Sequence, residues 1–147
     1  MRILFVCTGN FCRSPMAEVI FKTLLKRNNQ QGFEIASAGT YSLPGLPMTP
    51  TAKDALFLRG WDIAEASKST LFNFDMLDEY DHIITMTQRH KDAIGHYPNV
   101  KTLSDFVGGG DVQDPFMSPL EYYLKTCEDL EIRIQDLYQV LMEENKR

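Results

Sequence analysis

Cys7 and Arg13 bracket a short loop in the run Val6-Cys7-Thr8-Gly9-Asn10-Phe11-Cys12-Arg13-Ser14-Pro15. A thiolate is a strong nucleophile, and a guanidinium grips two oxygens of a phosphoryl group in a fork while keeping its charge throughout a reaction. Together they can attack phosphorus. The flanking residues supply the setting this chemistry needs. Ile3-Leu4-Phe5-Val6 reads as a buried strand, and Ser14-Pro15 reads as a helix start, a capping hydroxyl followed by a proline whose missing N–H costs nothing there. The loop between them must curl around its own backbone N–H groups. Such a nest at a helix N-terminus attracts an anion, and the same field favours a thiolate at its mouth. A bare cysteine and arginine at this spacing would otherwise read as a strand-end thiol beside an unrelated surface cation. The strand, Gly9 and the helix start decide for the phosphate cradle.

A departing oxygen needs a proton, and Asp114 is the candidate donor. Gly108-Gly109-Gly110 precedes it as a hinge, Pro115 stiffens the chain after it, and Phe116 can flank an aromatic substrate. Alone, Asp-Pro is an ordinary turn. Joined to the cysteine loop, the same carboxylate can serve first as acid and then as base, activating water against a phosphocysteine. Neither step calls for a metal or another cofactor. Cys127 falls on the apolar stripe of the last helix and reads as core. His82, His90 and His96 have no ligand spacing with the cysteines and are expected at the surface or half-buried. Tyr41 is either a wall of the substrate cleft or a loop aromatic packed on Pro44 and Pro47.

These groups need a frame. The 147 residues, 44% of them hydrophobic, suit one domain over 1–147, without repeats or linker-like stretches. A net charge of −5 argues against a nucleic-acid partner. The run from Ile3 to Val6 is too short for a signal peptide or membrane span, and three cysteines without a disulfide framework fit the cytoplasm. Helical spacing predicts helices over 15–27, 49–60, 72–77, 87–94 and from Pro119 onward, the last with Tyr123, Cys127, Leu130, Ile134, Leu137 and Leu141 on one face. Strands are expected at 3–6, 33–37, 82–86 and 100–103. Alternating strands and helices imply an α/β fold: a parallel sheet with helices on both faces and ligands beyond the carboxyl ends of its strands.

Residues Cys7 to Pro15 resemble the signature of the low-molecular-weight protein tyrosine phosphatases. Asp114-Pro115-Phe116 resembles that family's loop bearing the general acid, and Ser37-Ala38-Gly39 a third family element, so the matches cover essentially the whole chain in order. The resemblance implies a three-layer sandwich around a four-stranded, flavodoxin-like parallel sheet. It implies a monomer that hydrolyses phosphotyrosine on protein substrates through Cys7, Arg13 and Asp114. Thr8, Gly9, Asn10, Phe11, Cys12 and Ser14 would hold the phosphate, and Tyr41 and Phe116 would line the cleft. Asn10 and Ser14 would also keep the loop open, with the Ser14 hydroxyl assisting the thiolate. Cys12 would either form a protective disulfide with Cys7 or fill the loop interior.

Two positions depart from the family pattern. Phe116 and Met117 stand where tyrosine-specific members carry two tyrosines, and Glu65 or a neighbour stands where many have a histidine supporting the phosphate loop. Within the family some members remove phosphate from arginine. Thr8-Gly9 and Asp114-Pro115-Phe116 look like that branch, whereas Phe11, which matches a threonine there, looks like the tyrosine-specific members. An arsenate reductase would need a further cysteine pair, and a phosphocysteine carrier of sugar transport would need neither Asp114 nor Arg13. A non-catalytic phosphate-binding module is the remaining class.

Overall fold

Ile3 to Val6 are apolar without alternation because both faces of their strand are covered, the pattern of a central parallel strand. The computed structural model describes all residues from Met1 to Arg147. Strand β1 (Arg2–Cys7) lies between β2 (Glu34–Gly39) and β3 (His82–Thr85), and β4 (Val100–Thr102) completes a parallel sheet in the order β2-β1-β3-β4. Cys7 pairs in register with Gly39, so the sheet's carboxyl edge meets the loop that follows β2.

The odd positions Ile3, Phe5 and Cys7 face the larger core, with α1 (Arg13–Arg27), α2 (Pro50–Leu58) and α6 (Leu120–Asn145). The even positions Leu4 and Val6 face a smaller cluster with Met76 of α3 (Met76–Glu79) and Ile94 of α4 (Gln88–Ile94). The two clusters hold 27 and 7 buried residues, so most apolar burial lies on the α1/α6 face. At its centre Phe21 packs against Phe5 and Tyr138 at ring separations of 6.1 and 5.6 Å. Truncating such a residue to alanine costs about 3–5 kcal/mol.

The sheet and the long helices follow the sequence pattern, and four local features differ from it. Helix α1 begins at Arg13 with Cys12 at its N-cap, and no side chain caps it, so Ser14 is inside the first turn and free for another task. Pro15 keeps its place there, because first-turn N–H groups have no helical partner. The short helix expected over 72–77 forms at Met76–Glu79 instead, after Phe72 and Phe74 pair edge to face. Residue Leu103 does not extend β4: Thr102 and Asp105 form a reciprocal capping box that starts α5 (Leu103–Val107). A single 3-10 turn at Ile63–Glu65 was not expected. No helix is long and apolar enough to cross a membrane.

Candidate active site

The loop from Thr8 to Cys12 is suspended by its carbonyls. Those of Cys7, Thr8 and Phe11 accept from the backbone N–H groups of Thr40, Tyr41 and Thr49 at 2.9–3.1 Å, and that of Gly9 accepts from the Ser42 hydroxyl at 2.7 Å. The N–H groups of Thr8 to Cys12 donate to no protein acceptor. A loop whose carbonyls face outward and whose donors stay free, ending on a helix N-terminus, is an anion cradle. Its close seating also explains Gly39. A Cβ there would collide with the Thr8 carbonyl and come within 3.0 Å of the Asn10 nitrogen.

Asn10 is the keystone of the cradle. It adopts φ +62°, a left-handed conformation that asparagine tolerates better than most residues, and it is 2% exposed. Its Nδ2 donates to Ser14 Oγ and Ser37 Oγ, both at 2.9 Å, and its Oδ1 accepts from the Thr70 N–H at 2.8 Å. The Ser37 hydroxyl in turn donates a hydrogen bond to Glu18, a buried carboxylate that also accepts from Ser67 and Lys22. This chain of Asn10, Ser37 and Glu18 supports the loop from behind. Glu65 does not take that place; only its backbone carbonyl touches the network, through Lys22.

Cys7 Sγ, 3% exposed, lies 2.9 Å from Ser14 Oγ. Asn10 fills one lone pair of that hydroxyl, and a thiolate can only accept, so Ser14 donates to the sulfur in its charged form. Arg13 is 6% exposed, with Nη1 donating to the Val112 carbonyl at 3.3 Å and Nη2 reaching Thr8 Oγ1 and Asp114 Oδ2 at 3.5 Å. Asp114 is half exposed and accepts from the Phe116 N–H at 3.1 Å. The cleft between them, about 180 Å³, is lined by Cys7, Thr8, Gly9, Phe11, Cys12, Arg13, Asp114 and Phe116. A thiol, a guanidinium and a carboxyl group thus share one small opening.

Several expectations change here. Tyr41 is not among the residues that line this opening, and at 86% exposed it is not packed on Pro44 and Pro47 either; its backbone N–H supports the cradle. The Gly108-Gly109-Gly110 segment is no free hinge, because buried Arg133 donates from Nη1 to the carbonyls of Gly108 and Gly110 at 3.0 and 2.6 Å. A Cβ on Gly109 would come within 2.8 Å of that guanidinium. His90 is buried, 3% exposed, with Nε2 2.8 Å from Thr8 Oγ1 and Nδ1 3.0 Å from Thr87 Oγ1. Burial, reinforced by the charge of Arg13, lowers its pKa to about 4. The sequence carried one hint of His90, since it and Ile94 lie one turn apart on the buried face of α4.

The other cysteines are shielded. Cys12 Sγ sits 3.5 Å from both the Thr49 and the Tyr123 hydroxyl, and burial raises its pKa despite those contacts. Cys127 is fully buried in the larger core, and burial pushes its thiol up to about 12. All three cysteines are free thiols. No three His, Cys, Asp or Glu side chains cluster closely enough to hold a metal ion.

Comparison with known proteins agrees with this geometry. The sequence model of the family described as low molecular weight phosphotyrosine protein phosphatase matches residues 2–147. A protein-arginine-phosphatase of Bacillus subtilis (strain 168) is 37% identical, over 99% of this chain and 100% of its own. A low molecular weight protein-tyrosine-phosphatase, PtpB of Staphylococcus epidermidis, is 39% identical over 86% of this chain and 88% of its own. Among solved structures, YwlE arginine phosphatase, as a cysteine-to-serine mutant with a phosphorylated active site serine, superposes with a TM-score of 0.90 at 34% identity, covering 99% of each chain. With that cradle, that sheet and these full-length relatives, the chain belongs to the low molecular weight phosphotyrosine protein phosphatase family, whose members are cysteine-dependent hydrolases.

Proposed function

We propose that this chain hydrolyses phosphotyrosine on protein substrates through a phosphocysteine intermediate on Cys7. The observation that carries the reading is the cleft itself, which Cys7, Arg13 and Asp114 line together with Phe11 and Phe116. The Cys7 thiolate attacks phosphorus, a sulfur–phosphorus bond forms, and the bond to the tyrosyl oxygen breaks. Asp114 gives its proton to that oxygen. The free N–H groups of the cradle and the Arg13 fork take up the charge of the transferring phosphoryl oxygens. Asp114, now a base, takes a proton from water; the water oxygen attacks phosphorus, and phosphate and the Cys7 thiolate are released. The phosphorylated active-site serine of the YwlE mutant supports a phosphoryl-enzyme at this position. Buried free thiols suit a reducing compartment such as the cytoplasm.

A second reading is dephosphorylation of protein arginine, which the full-length likeness to arginine phosphatases favours. Overall identity does not separate the two, since PtpB is as similar. What favours phosphotyrosine is Phe11, because a ring contact with a phenyl substrate is worth about 0.5–1.5 kcal/mol beyond burial; Phe116 is common to both readings, and a guanidinium can also stack on either ring. The deciding measurement is kcat/KM on matched phosphotyrosine and phosphoarginine peptides, for the natural chain and Phe11→Thr. Higher kcat/KM on phosphotyrosine, shifting toward phosphoarginine in Phe11→Thr, is expected; faster phosphoarginine hydrolysis by the natural chain promotes the second reading. An arsenate reductase would relay oxidation to further cysteines, and the remaining one, Cys127, is fully buried. Turnover of p-nitrophenyl phosphate in the presence of a chelator separates a metal-free phosphatase from an arsenate reductase, a phosphocysteine carrier and a non-catalytic phosphate-binding module.

A further inference from the structure

Thr87, His90 and Thr8 form a hydrogen-bonded line that runs from the interior to the mouth of the cleft. Thr87 Oγ1 accepts the His90 backbone N–H at 3.2 Å as the N-cap of α4, and the same oxygen lies 3.0 Å from His90 Nδ1. Thr87 is buried, and its hydroxyl proton has no other acceptor within reach than Nδ1. Were Nδ1 protonated, that hydroxyl proton would be buried without a partner. His90 therefore carries its proton on Nε2 and donates it to Thr8 Oγ1 at 2.8 Å. Arg13 Nη2 donates to the same oxygen at 3.5 Å. With both lone pairs engaged, the Thr8 hydroxyl has only its proton left to offer. Thr8 is the exposed member of the loop and lines the cleft beside Cys7.

We propose that Thr8 is a phosphoryl-binding residue whose hydroxyl donates to an oxygen of the bound phosphoryl group, and that His90 is a positioning residue that fixes the polarity of that hydroxyl. The arrangement deepens the phosphatase reading and rests on it for its role in turnover, though not for binding. It explains why a histidine with no metal and no exposed face is held between two threonines at the back of the site. The neutral ring also adds no charge beside Arg13, so it neither repels the guanidinium nor competes with it for the anion.

Calorimetric binding of inorganic phosphate tests the assignment without requiring turnover. Thr8→Val, which keeps the shape and removes the hydroxyl, should weaken phosphate binding about 10- to 100-fold, as expected for a hydrogen bond to a charged group. Thr8→Ser should recover most of that loss. His90→Phe should weaken binding in the natural background and add nothing in the Thr8→Val background, and His90→Gln, which can still donate to Thr8, should fall between. If His90→Phe does not fold, His90→Gln takes its place in the cycle. Phosphate binding by Thr8→Val as tight as by the natural chain overturns the binding role. Additive losses in the double variant, or nitrogen chemical shifts placing the His90 proton on Nδ1, overturn the positioning role. Should the natural chain bind phosphate in this Thr8-dependent way and yet leave p-nitrophenyl phosphate intact, the phosphatase reading falls while the Thr8 assignment stands.

Discussion

The phosphate cradle and the acid loop face each other across one cleft but are built on opposite plans. In the cradle, Asn10, Arg13 and Ser14 are buried, every carbonyl named above has a donor, and a second layer of Ser37, Glu18 and Lys22 stands behind. In the acid loop, Asp114 is half exposed, Phe116 and Met117 are exposed, and the Asp114–Arg13 separation of 3.5 Å is loose for an ion pair. The difference matches two tasks. A tetrahedral anion is the same for every substrate and rewards a rigid, preorganised site, whereas a proton donor must admit and release protein substrates of varied shape.

The sharpest break of the contrast is at the nucleophile. Cys7→Ser should lose on the order of 10⁴-fold or more in turnover. Phosphate binding should persist, since the cradle donors and Arg13 remain; retention of more than a small fraction of activity would refute the covalent route. On the other side of the cleft, Asp114→Asn should lose about 10²–10⁴-fold with poor leaving groups and far less with activated aryl phosphates. Equal losses across a leaving-group series would make Asp114 a structural part of its loop.

Smaller effects separate the two supports. Asn10→Ala removes the hub of the cradle, leaving Ser37 and the Thr70 N–H short of partners. It should cost about 1–3 kcal/mol in stability together with weaker phosphate binding, read by denaturant unfolding and calorimetry. Arg133→Lys withdraws the Nη1 donor shared by the Gly108 and Gly110 carbonyls and the Nη2 bond to Asp129 that fixes it, and should slow turnover about tenfold with poor leaving groups while leaving phosphate affinity nearly unchanged. If it weakens phosphate binding instead, the two regions are coupled more tightly than the geometry shows.

The mildest effect is on stability against pH. His90 titrates near 4 in the folded chain, below its ordinary value of 6.5, so the unfolded chain binds more protons between those limits. Stability from this group is therefore lost as pH falls from about 6.5 toward 4, with a slope approaching about 1.4 kcal/mol per pH unit. Denaturant midpoints of the natural chain and His90→Gln should converge as pH falls through that window, and parallel curves would contradict a buried neutral histidine.

Local chemistry made much of this legible in advance. The unbroken apolar run at Ile3 to Val6, the stripe from Tyr123 to Leu141 and the loop from Cys7 to Ser14 each act through neighbours a few positions away, and the structure keeps all three. The capping box at Thr102 and Asp105 was equally local and readable, though it lay just past a short strand that obscured it. Ser14 does not cap the helix, for the opposite reason. Its competing partner, Asn10, reaches it only because the loop turns left-handed at that residue.

What residue types and spacing determined by themselves was the fold class and the strand–loop–helix setting that holds Cys7 and Arg13 together, because a strand, a tight loop and a helix start are set by short-range sterics and hydrogen bonding. What only the tertiary structure decided was how the site is held. His90 meets Thr8 across 82 positions, Glu18 meets Ser67 across 49, and Arg133 meets the Gly110 carbonyl across 23. A buried polar side chain must find a partner, but nothing local names it. Which partner it finds depends on how the sheet and helices pack.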